Sequence, residues 1–162
     1  MEGILLHPPL VHFAIVLPVI AMFFQIAYSV SNNATYSKCS AAALVITALV
    51  MVATWYTGGL EGEDIYPLLS DEGQATLKLH KTFGLFLMIG VIALALVKVF
   101  AYRARSVVLE TIVLMGLLVT SSALIYQGLL GGDIVYKYGA GVENHSDGID
   151  CLQEQAVSEE DE

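Results

Sequence analysis

The stretch HPPLVHFAIVLPVIAMFF, His7 to Phe24, decides how this chain is read, together with LKLHKTFGLFLMIGVIALAL, Leu77 to Leu96. Each is a predominantly apolar stretch long enough for a membrane helix, and each carries a histidine just inside its leading end. A bilayer crossing needs about 20 apolar residues at a rise of about 1.5 Å each. Four segments meet that requirement, approximately Leu10–Val30, Ser40–Thr57, Leu79–Phe100 and Val107–Leu130. The chain is 162 residues long and 56% hydrophobic, with mean hydropathy +0.69. A soluble domain is closer to about 45–50% apolar. The expected fold is therefore all-α: an integral membrane four-helix bundle over residues 1–142, followed by an acidic, disordered tail at 143–162.

The first segment lacks a basic leader and a small-residue cleavage site, so it is read as a retained span. Cys39 and Cys151 fall on opposite sides of the membrane in this topology. No C-x-x-C-H occurs, which excludes covalent haem attachment of the c type.

Net charge is −9, and its placement is uneven. Of the sixteen carboxylates, all but Glu110 fall on the side of the N-terminus, the second loop and the tail. Lys38, Lys98, Arg103 and Arg105 fall on the other side, against Lys78, Lys81 and Lys137. That four-to-three count places the termini outside, in a multi-pass protein of the bacterial inner membrane. An acidic outer face excludes nucleic acid as a partner.

An internal repeat is suggested by TGGLEGEDIY, Thr57 to Tyr66, and QGLLGGDIVY, Gln127 to Tyr136. At an offset of 70, Ala53, Tyr56, Gly58, Leu60, Gly62 and Tyr66 match Ala123, Tyr126, Gly128, Leu130, Gly132 and Tyr136. His12 and His80 lie 68 apart. The reading is a tandem repeat of two helical hairpins about an axis along the membrane normal. That symmetry brings His12 and His80 face to face, and Gly84, Gly90 and Gly116 permit close packing or room for a flat macrocycle.

An imidazole at the hydrocarbon boundary is costly without a partner, so such groups are functional candidates. The expected site has His12 and His80 as axial ligands of one b-type haem, with His7, Asp64, Asp133 and Tyr136 around them. The expected function is electron transfer near the outer face, as a redox carrier or subunit more than an enzyme. Its partners are membrane lipid and a periplasmic redox protein or larger membrane complex. A second reading is a metal-binding or transport-accessory protein holding a Zn or Cu ion on His7, His12 and His80. A third is a non-catalytic scaffold subunit whose histidines satisfy one another. Gln25 and Gln127 are expected to join helices, and the acidic second loop to be a solvated face. No nucleotide-binding or hydrolytic motif occurs.

The two end motifs resemble those of an uncharacterised bacterial membrane family, domain of unknown function 2231. HPPLVHFAIVLPV is similar to its opening His-Pro-x-x-Val-His-Phe pattern. GGDIVYKYGAGV is similar to its closing Gly-Gly-x-x-Val-Tyr-x-His-Gly-Val-Gly-Val pattern, with Tyr138 where the family usually has histidine. The resemblance covers the chain except its tail and implies four spans without a settled activity. A looser likeness connects it to four-helix membrane b-type cytochromes.

Overall fold

The computed structural model describes residues 6–141. The tail at 143–162, read as disordered, lies outside that range, and so does Cys151. Four helices follow in order: α1 (His7–Ser31), α2 (Ala34–Ile65), α3 (Asp71–Ala104) and α4 (Val107–Tyr136), with a 3-10 turn at Tyr66–Leu68. All four are long and apolar enough to cross a membrane, and no strand occurs among the described residues. Each helix packs on its sequence neighbours and α4 closes on α1, so α1 lies diagonal to α3 and α2 to α4.

The helix ends follow from local chemistry. Pro8 and Pro9 open α1, where a missing N–H costs nothing. Asn32 then turns left-handed (φ 52°) and Asn33 caps α2 by accepting the Thr35 N–H at 3.0 Å. The α3–α4 connection repeats this device: Arg105 is left-handed (φ 50°), and the Ser106 hydroxyl accepts the Leu109 N–H. Two residues therefore suffice to reverse each hairpin.

These matched places are 73 residues apart (Ser31 and Ala104, Asn32 and Arg105, Ala34 and Val107), not 70. The offset of 70 between the two glycine-rich runs thus differs by three residues, about one helical turn, from the spacing of the helix ends.

The segment read as an acidic second loop is mostly helix. α2 continues through Gly58, Gly59 and Gly62 to Ile65, and α3 begins at Asp71 behind the Ser70 cap. Likewise GGDIVY is the end of α4, and the chain turns only after Tyr136. There Gly139 adopts φ +71°, and the Ala140 N–H donates to the Ile134 carbonyl at 3.1 Å. Tyr138 and Ala140 then pack with Leu69, Leu77 and Ile134 over the start of α3. Between the ends the interior is mainly apolar, built on Ala14, Met51, Val91 and Leu124 and on Ala21, Leu44, Ala95, Val113 and Leu117, with Ser40, Thr47 and Ser121 buried among them.

Candidate functional site

At the end where α1 begins, one face of α2 presents Thr54, Gly58 and Glu61, spaced four and three residues apart so that they stack along one stripe. Each serves His7. The Thr54 carbonyl accepts a hydrogen bond from the ring Nδ1 at 2.9 Å. A carbonyl can only accept, so Nδ1 carries the proton, and in the neutral form of the ring Nε2 keeps its lone pair. At Gly58 a Cβ would stand 2.6 Å from the imidazole, so the ring occupies the space a side chain would fill. Glu61 Oε1 accepts the N–H groups of Leu6 and His7, both at 2.9 Å, and so caps α1 from a neighbouring helix. A glycine inside a helix costs about 1 kcal/mol relative to alanine. Here that cost is offset by seating a ring against backbone.

On the diagonal, α4 does the same for His80. The Gln127 amide donates to the His80 carbonyl at 2.9 Å, and a Cβ at Gly131 would lie 3.2 Å from the ring. The two imidazoles meet with centroids 6.4 Å apart and planes at 87°. His80 Nδ1 is buried without a hydrogen-bond partner.

His7 therefore stands opposite His80, and His12 does not. His12 is exposed on the outside of α1, its Nδ1 bonded to the Pro8 carbonyl of its own helix at 2.8 Å. The register explains the exchange. His7 and His80 are 73 apart, as are Thr54 and Gln127, and Gly58 and Gly131. His12 lies five residues further along α1 on a lipid-facing stripe. Asp64, Asp133 and Tyr136 are also exposed, Tyr136 by 91%, and none bonds either ring among the described residues. The small residues expected beside the site are used elsewhere: Gly84 receives the Gln127 amide, while Gly90 and Gly116 line an apolar groove of about 490 Å³ between α3 and α4, open to the bundle exterior.

A second polar cluster closes the opposite end. Lys98 is fully buried and pairs with Glu110 at 2.5 Å. Ser37 accepts from the Lys98 ammonium at 2.8 Å and donates to Glu110 Oε1 at 2.7 Å. Gln25 donates to Glu110 Oε2 at 2.7 Å, and the Tyr28 ring lies 5.5 Å from the ammonium. All four helices contribute. Gln25 and Lys98 again differ by 73, as do Ser37 and Glu110. His80 to Lys98 is 18 residues, as is His7 to Gln25, which along a helix is about 27 Å. The two clusters thus sit near the two faces of a hydrocarbon layer about 30 Å thick.

The cluster was legible in part. Glu110 is the one carboxylate on its side, and Lys98 interrupts the apolar run LALVKVFAY; an ionisable group within a span is a site candidate. Counting Lys98 as a surface cation hid it. With Lys98 inside and neutralised, the cation count becomes three on each side, so it gives no orientation.

A model of a family described as a predicted membrane protein, DUF2231, matches residues 3–144. The chain belongs to that family. No curated protein and no solved structure matches it. The DUF2231 match spans both polar clusters and all four helices. It also includes the closing turn, where Tyr138 packs its Cβ against the space at Gly73 rather than toward the imidazole pair.

Proposed function

We propose that His7 and His80 hold one transition-metal ion at the end of the bundle, which makes this a metal-binding or electron-transferring membrane subunit. The observation that carries this reading is the unpartnered, buried Nδ1 of His80 beside an imidazole whose own Nδ1–H is committed to a backbone carbonyl. Metal-binding histidines characteristically donate their second ring N–H to a carbonyl or carboxylate, which fixes tautomer and orientation. Two metal–nitrogen bonds of about 2.0 Å plus the two ring radii span roughly the separation of these centroids. Imidazole suits Zn, Cu, Fe and Ni.

Among the described residues no group of three or more His, Cys, Asp or Glu is arranged around a metal. A two-imidazole site leaves the remaining positions to water or to a partner, which suits a carrier that takes up and releases its ion. A haem iron takes the same two ligands but also needs a planar slot. Gly58 and Gly131, the small residues at this depth, already give their side-chain space to the imidazoles, so a bare ion fits better. Partners on this reading are a soluble redox or metal carrier, or a larger membrane complex. We place the His end on the outer side of a bacterial inner membrane. A C-terminal alkaline phosphatase fusion is active in that orientation and inactive in the reverse.

The test is to purify the full chain in detergent, load it separately with Cu(I), Zn(II) and haemin, and measure bound metal and absorption. About one ion per chain is expected, lost in His7→Ala and in His80→Ala and retained in His12→Ala. A Soret band that both substitutions abolish would give the site to haem. Equal metal content in the His7→Ala, His80→Ala double variant overturns the reading and leaves a scaffold.

A further inference from the structure

Between α2 and α3, at the His end, a cleft of about 410 Å³ is lined by Gly62, Glu63, Tyr66, Lys78, Lys81 and Thr82, with Leu77 at its base. We propose that it binds the phosphate of an anionic membrane lipid.

The charges are arranged for an anion. Although this end of the bundle is rich in carboxylates, neither lysine forms a salt bridge among the described residues; the Lys98–Glu110 pair alone does so. Instead the Lys78 ammonium lies 5.2 Å from the centre of the Tyr66 ring. Lys81 lies along α2 where Gly62 has no side chain, its Cδ 3.7 Å and Nζ 3.9 Å from the position of a Cβ. Both cations are thereby held beside one cleft, and neither ammonium donates a hydrogen bond among the described residues. Thr82 adds a hydroxyl, and Glu63 is the one opposing charge in the lining.

Depth and surroundings select a lipid over a free ion. Lys78 and Lys81 flank His80, which lies near the hydrocarbon boundary, so their ammonium groups reach headgroup level. Below Thr82 the same stripe of α3 continues at Phe86 and Ile89, 66% and 53% exposed, an apolar track for an acyl chain. A free phosphate would use the lysines and leave that track idle. Basic clefts between membrane helices are the usual receptors for anionic headgroups.

Native mass spectrometry of the full chain in detergent, titrated with phosphatidylglycerol or phosphatidylcholine, tests this. Phosphatidylglycerol should be retained about thirtyfold more tightly, a preference of the size two lysines near a membrane surface supply. The Lys78→Gln, Lys81→Gln double variant should lose that preference with its melting temperature unchanged, and Lys137→Gln should keep it. The proposal is overturned if the double variant keeps the preference, if wild-type protein has none, or if inorganic phosphate displaces the lipid. That last result would make this a free-anion site. Metal binding at His7 and His80 is measured separately, so the two readings fail independently.

Discussion

The two ends of this bundle treat buried polarity in opposite ways. At the turn end, Lys98 and Glu110 form a charged pair whose members are held by Ser37 and Gln25 as well. At the other end, the rings of His7 and His80 meet edge to face with no ion pair between them, and the buried Nδ1 of His80 has no partner. Both clusters use the same register of the two hairpins, 18 residues apart on α1 and on α3. A buried ion pair resists any change in its members, since removing one exposes the other to the full cost of burial, even though Gln25 Oε1 beside it has no hydrogen-bond partner. An imidazole pair with one unpartnered nitrogen has hydrogen-bonding or ligating capacity left over, which is the basis of the proposed metal reading. The first end is a staple across four helices; the second, on the proposed reading, is a site.

The largest test of that contrast is Lys98→Met, which leaves Glu110 charged and uncompensated. It should destabilise the protein by about 3–5 kcal/mol in unfolding from detergent micelles, and a Lys98→Met, Glu110→Met double variant should recover most of the loss. A harmless single substitution would break the comparison. Next is Gly58→Ala, whose Cβ would collide with the His7 ring at 2.6 Å. It should cost about 1–3 kcal/mol as overpacking and abolish metal binding. Gly59→Ala, with open space at its Cβ, should instead stabilise α2 by up to about 1 kcal/mol. Glu61→Ala removes the acceptor shared by the Leu6 and His7 N–H groups. The expected loss is about 0.5–2 kcal/mol, and weaker metal retention in the same sample would mark Glu61 as positioning His7. The smallest effect belongs to His12→Ala, within about 0.5 kcal/mol by the same measurement.

Much of the fold could be read directly. Four spans follow from apolar length, and the expected links from Gln25 and Gln127 to neighbouring helices are present, to Glu110 and to His80. The hairpin reversals are also written locally, in Asn32-Asn33 and Arg105-Ser106. The candidate site was legible only in outline: a histidine from α1 and a histidine from α3. Choosing between His7 and His12 requires the rotation of α1 about its own axis. A five-residue step turns a side chain through about 140° relative to its starting direction, given 3.6 residues per turn. Apolar residues surround both histidines, because one side of α1 meets lipid and the other meets protein, so hydropathy does not distinguish them.

The sequence by itself therefore determined the transmembrane helices and their caps, which depend on residues close in the chain. Only the tertiary structure decided which ionisable groups face inward. It turned His12 outward, brought His7 to His80, and drew Lys98 from the tally of surface cations into a pair with Glu110. In a membrane both faces of a helix are apolar, so the inward face is chosen by close packing and hydrogen bonding between helices. The glycines show this most directly: Gly58 and Gly131 are weak helix formers locally, yet they are the places where the two imidazoles fit.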